Sequence, residues 1–181
     1  MAENEDTLTR CLLTACETLR ANAYFTPTDG RPKIPVVEDV SGDIFQAIQQ
    51  AEIRGMHVAV GLDTFSDIQS GGCLTGSISI IVRVQEIVGQ NRSDSGVLDN
   101  AARVAAKAAL VLHGTACCKD SDGVRMTGGS WQSKGVEPAQ ALGTDGKPLP
   151  NGRAYSVRFT ATNFTLTDFQ RLTKAPSAGA P

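Results

Sequence analysis

The sequence predicts an α/β chain of the α+β kind, with a mainly antiparallel sheet of about four to five strands and two to three helices packed against it. Three observations point there. Residues 76–88 alternate at period two, with Ile78, Ile80, Val82 and Val84 on one face and Ser77, Ser79, Arg83 and Gln85 on the other, Ile81 being the exception. Other stretches, 7–20 and 97–112 foremost, repeat apolar residues at helical spacing. Further alternating runs at 56–62 and 153–166 are bounded by turn residues.

In chain order, 7–20 place Leu8, Cys11, Leu12, Ala15, Cys16 and Leu19 on one stripe. Asp6 or Thr7 can cap this helix, and Arg20 suits the negative end of its dipole. Pro27, Pro32, Pro35 and Thr28-Asp29-Gly30 then impose a long connection, with a short extended piece at 34–37. Ser41 or Asp43 caps a shorter helix at 44–53, striped by Ile44, Phe45, Ile48 and Ala51 and ended by Gly55.

Met56, Val58, Val60 and Leu62 alternate with His57, Ala59 and Gly61, which gives a strand expected to pair antiparallel with the long one. Residues 63–72 have loop chemistry. At about 3.3 Å per residue the strand at 76–88 would reach roughly 40 Å, so one end is expected to project or bend.

Ser93, Asp94 or Ser95 is expected to cap the helix at 97–112, whose stripe is Val97, Ala101, Val104, Ala105, Ala108 and Leu112. Gly114 suits a left-handed terminator, with His113 at the C-terminal end of the dipole. Residues 115–130 read as a loop. Two strands follow, at 131–142 and 153–166; Tyr155, Val157, Phe159 and Ala161 share one face of the second. The linking residues 143–152 are turn formers almost throughout, so a hairpin with a long tip is expected. A single domain over 1–174 and a flexible tail at 175–181 complete the expectation.

Composition narrows function. With 181 residues, 41% apolar and 20% charged, the chain is ordinary for a globular domain. A net charge of −2 gives no basic field for gripping nucleic acid. No apolar run approaches the roughly 20 residues of a membrane span, and the acidic start Met-Ala-Glu-Asn-Glu-Asp is unlike a signal peptide. Synthesis in the cytoplasm is the expectation.

Five cysteines, with no C-x-x-C and only two histidines, suit reduced thiols better than a disulfide framework or a zinc site. His57 falls on the polar phase of a strand and His113 at a helix end, both structural positions. Ser70-Gly-Gly-Cys73 and Thr127-Gly-Gly-Ser130 lack phosphate-loop spacing and read as turns. Asp63, Asp67, Asp120 and Asp122 read as solvated acids, because Asp120-Ser-Asp-Gly123 lacks the later glutamate of a calcium loop. Cys117-Cys118 beside Lys119 would follow a helix C-terminus, the wrong dipole end for a thiolate. No catalytic, cofactor-binding or metal-binding residue is expected, and no enzyme.

The layout of 44–53 leading into 56–62, then 77–88, 97–112 and 155–166, resembles the tail-terminator and tail-completion proteins of long-tailed bacteriophages, over about residues 7–168. The proline-rich stretch at 26–35 and the tip at 143–152 depart from that pattern. The resemblance implies an α/β domain that assembles as a homohexameric ring on the head-proximal end of the tail tube. Its partners would be copies of itself, the tail tube protein and the head–tail connector or stopper, without nucleic acid or membrane.

Such a protein stops tube polymerisation, catalyses nothing, and belongs to the virion after assembly in the host cytoplasm. Two alternatives stay open: another neck component, such as a head-completion or stopper protein, and a small-ligand-binding or enzymatic α+β domain. The contacts are expected in the loops 63–72 and 143–152 and on the polar strand face: Asp63, Phe65, Asp67, Arg83, Gln85, Glu86, Lys147 and Asn151.

Overall fold

A computed structural model describes residues 7–29, 33–39, 55–70, 74–91, 99–119, 123, 125–143 and 145–166. The helix expected at 44–53, the caps at 93–95, Val97, Cys73, Asp120, Asp122 and the tail at 175–181 lie outside them. The fold is α+β. Its described elements are α1 (Thr7–Arg20), β1 (Val36–Glu38), β2 (Met56–Ser70), β3 (Leu74–Ile87), α2 (Ala101–Leu112), β4 (Ala116–Lys119), β5 (Arg125–Ser130), β6 (Gln132–Ala139) and β7 (Gly152–Leu166).

Five strands form one sheet in the order β1-β2-β3-β7-β6, and β4 and β5 form a second. Every junction of the large sheet is antiparallel except β1 against β2. β3 is central, and its period-two pattern sets the core: Ile78, Ile80, Val82 and Val84 are fully buried. Cross-strand rows extend that core, with Val60, Val82 and Val157 in one and Leu62, Ile80 and Phe159 in the next.

Helix α2 lays Ala101, Val104, Ala105, Ala108 and Leu112 over β3, β7 and β6. Its small residues let the helix axis approach the sheet closely. Helix α1 packs Cys11, Leu12, Ala15, Cys16 and Leu19 against β1, β2, β4 and α2. Arg20 does more than complement the dipole: its guanidinium donates to the Val36 carbonyl at 2.7 and 3.0 Å and pairs with Glu38 at 2.9 Å, which fixes β1.

The structure corrects four expectations. α2 starts at Ala101, because Asn100 stays extended and accepts the Arg103 N–H at 3.0 Å. Residues 63–70 are strand: β2 runs on to Ser70, and one extra residue, Asp63, bulges between the pairs Leu62–Ile80 and Thr64–Ser79. A bulge reverses the facing of everything beyond it, so Phe65 joins the helix side, where its ring meets Phe164 edge to face at 6.0 Å.

Stretch 115–130 is not a plain loop, because it contains β4 and β5, and it buries Cys117 and Cys118. Gly128, at φ +73°, makes that packing possible; a Cβ there would lie 2.5 Å from the Cys117 Sγ. Finally, the strand expected at 131–142 is β6 alone. Trp131 is buried before it, and residues 140–142 leave the sheet edge and pass over β7 to β3.

Candidate functional site

One face of the large sheet carries the helices and β4–β5; the other presents His57, Ala59, Ser79, Ile81, Arg83, Gln85, Ser156, Arg158 and Thr160. At the end near residue 85 this polar face is covered by the chain's own segment. The Gln85 side-chain amide donates to the Leu142 carbonyl at 2.7 Å and accepts the Leu142 N–H at 3.0 Å, and Arg83 donates to the Gln140 carbonyl. Ala141 is buried beneath the turn, and Leu142 and Pro148 form a bridge across it. Residues 140–142 therefore lay the base of a strap onto the sheet, and its tip at 145–148 is exposed.

His57, opposite Gln85 on this face, is a buried neutral base. Burial, with the nearby Arg83 charge second, lowers its pKa to about 4. Arg83 Nε is itself buried and finds no hydrogen-bond partner among the described residues. Further along, the face is open: the Ser79 and Thr160 hydroxyls share a hydrogen bond of 3.0 Å, and Arg158 donates to Asp63 at 2.7 Å.

The eight residues singled out from the sequence do not form one site. Asp63, Phe65 and Asp67 lie on the outer half of β2. Asp63 is tied to Arg158, Phe65 is half-buried on Phe164, and Asp67 is exposed at φ 56° with its carboxylate accepting from Ser66 at 3.2 Å. Arg83 and Gln85 lie about 10 to 30 Å away along the strands, by about 3.3 Å per residue, and hold the strap. Lys147 is exposed on that strap and pairs with Asp145 at 3.3 Å, and the exposed Asn151 lends its carbonyl to the Val88 N–H at 3.0 Å.

Glu86 faces the opposite way. It is buried on the helix side, accepting the Ala101 N–H and the Asn91 amide, each at 2.9 Å. A carboxylate at the first turn of α2 suits the positive end of the dipole, and both its oxygens are engaged within the chain.

The sequence reading missed the free edge of the sheet. β1 pairs with β2 only at Val58–Val60, so from Gly61 to Ser70 no described strand lies outside β2. Leu62 and Ile68 on this edge are 43% and 56% exposed. The available signal was the length of the alternation, which polar residues and bulges disguised.

The thiols are sequestered. Cys11 donates to the Cys117 carbonyl at 3.0 Å, and its pKa is pushed well up by its hydrogen bond with Cys117 first and by burial second. Cys16 is raised to about 12, chiefly by burial. Protonated thiols are poor nucleophiles and poor metal ligands. Among the described residues no three His, Cys, Asp or Glu side chains converge to hold a metal ion, and no described helix is long and apolar enough to cross a membrane. No protein-family model matches the chain, and no curated protein matches it significantly.

Proposed function

We propose that this chain is a structural subunit of a bacteriophage neck: a tail terminator that forms a ring on the head-proximal end of the tail tube, ends tube polymerisation and joins the tail to the head connector. The observation that carries the reading is the outer half of β2. It is held in place on its inner side by β3 and bare on its outer side among the described residues, with Leu62 and Ile68 facing water. A preorganised edge with exposed apolar groups loses little entropy on pairing and removes apolar surface from water when it does so. A mixed-charge surface with net charge −2 suits protein contacts rather than a phosphate backbone.

The test uses the tail tube protein of the same phage. Purified chain added to polymerising tubes should stop their growth and appear in electron micrographs as a ring at one tube end. Tubes that grow to the same lengths with and without the chain would contradict a terminator role. Rings that bind only the head connector would instead assign the chain to the head side of the neck.

A further inference from the structure

We propose that the large sheet continues from copy to copy: the outer edge of β2 beyond Gly61 in one chain pairs, head to tail, with the outer edge of β6 in the next. This rests on the proposed self-assembly and says which surfaces perform it. β2 and β6 are the two flanks of one sheet, β1 apart, and neither has a described strand on its outer side over 61–70 or 132–139. β2 and β7 run one way, β3 and β6 the other. A neighbour's β6 beside β2, with the same face of the sheet turned inward, is therefore antiparallel, like the three long junctions within the chain.

Among the described residues, three of the five exposed large apolar side chains lie on the same two edges. Large apolar side chains exposed among the described residues are Leu62, Ile68, Val88, Leu110 and Val136. The first two are on β2 and the last, 38% exposed, is on β6. Leu62 opposes the buried Ile80, and Val136 opposes the buried Val157, so both prolong core rows on the helix side of the sheet and stop at an open edge. Joining the edges gives each row a continuation.

Geometry favours a ring over a symmetric pair. The joined edges are different, so the contact is heterologous and leaves one edge of each kind open until the chain of copies closes. β1 already occupies Val58–Val60, so an incoming β6 has to slide toward the hairpin end. That offset is the stagger a closed sheet requires. The bulges at Asp63 and near Asp67 on β2, and at Gly135 with Pro138 on β6, restrict pairing to short matched stretches. Unrelated strands are thereby discouraged, while the matched edge remains acceptable.

The experiment is site-directed crosslinking of the full chain. In a Cys73→Ser background the remaining cysteines are all buried, so Thr64→Cys and Lys134→Cys, both exposed, can be joined by a short bismaleimide. A chain carrying both substitutions should give a ladder of covalent oligomers ending at the ring, and either substitution alone should give none. Ser66→Cys with Gln132→Cys, both exposed, is a second pair in the same antiparallel register and should behave alike if the first disturbs folding.

Dimers from Thr64→Cys alone would mean that like edges meet, and would overturn the proposal. Rings that assemble without any ladder from either pair would overturn this seam and leave the terminator reading standing. A chain that stays monomeric and uncrosslinked would remove both.

Discussion

At Glu86 a carboxylate sits at the end of the helix-facing row of β3 that otherwise reads Ile78, Ile80, Val82 and Val84, and its two oxygens hold the start of α2 and the turn at Asn91. Glu86→Ala should leave the Ala101 N–H buried without its partner and cost about 1–3 kcal/mol in urea unfolding; an unchanged midpoint would mean that the cap at Asn100 alone holds the helix. Ile80, fully buried between Leu62 and Phe159, should lose about 2–5 kcal/mol as Ile80→Ala. A loss below about 0.5 kcal/mol, the usual surface value, would mean that the helix-facing side is wrongly assigned.

His57 supplies a pH signature. Its folded pKa is about 4, below the ordinary 6.5 of the unfolded chain, so between those values the unfolded state binds more protons. Stability is then fully present above about pH 6.5 and declines as pH falls toward 4, by up to about 3 kcal/mol from this one group. His57→Asn should flatten the unfolding free energy between pH 6.5 and 5, above the range where most carboxylates titrate. An unchanged slope would place the effect elsewhere.

At the scale of elements, the bulges decide what the long strands do. Asp63 turns Phe65 inward, and on β7 an extra residue between Ala161 and Phe164, where Asn163 adopts φ 58°, turns Phe164 to meet it. Deleting Asp63 should remove the bulge and the ion pair with Arg158 while Thr64 and Phe65 keep their places opposite Ser79 and Ile78, so Phe65 stays on the helix side. Because a largely exposed ion pair contributes little, the expected cost is below about 1 kcal/mol, read as a small change in melting temperature. A deletion variant that loses several kcal/mol would mean that the bulge itself holds the register of β2. The strap offers a second check: Gln85→Ala should speed amide exchange at Leu142 by about tenfold or more, a loss of about 1.4 kcal/mol. Unchanged protection would mean that the bridge to Pro148 holds the segment by itself.

These devices also explain what could be read from the sequence. The faces of β3 and β7, the stripes of both described helices and the antiparallel pairing of β2 with β3 all rest on unbroken periodicity, and they are present. Periodicity fails where a bulge shifts its phase, so the second half of β2 looked like a loop. Short strands with cysteines and glycines, β4 and β5, carry no alternation long enough to notice. Gln85 and Glu86 looked exposed because polarity alone does not reveal that a partner is supplied from more than fifty residues away in one case and fifteen in the other.

At the scale of the whole molecule, a five-stranded sheet with helices on one face leaves two unlike flanks, and this chain leaves apolar side chains on both. A monomer gains nothing from Leu62 and Ile68 in that position, whereas an assembly removes them from water. Leu62→Lys with Ile68→Lys should therefore leave the fold standing, since the two residues are 43% and 56% exposed and a lysine stem can cover Ile80 in place of Leu62, and should prevent association. The central claim, that the chain works as a self-assembled ring, is tested most directly by sedimentation equilibrium of the purified protein across a wide concentration range. The account predicts a closed oligomer with the mass of about six chains, reduced to a monomer by the double lysine substitution. A parent protein that remains monomeric at every concentration would contradict it.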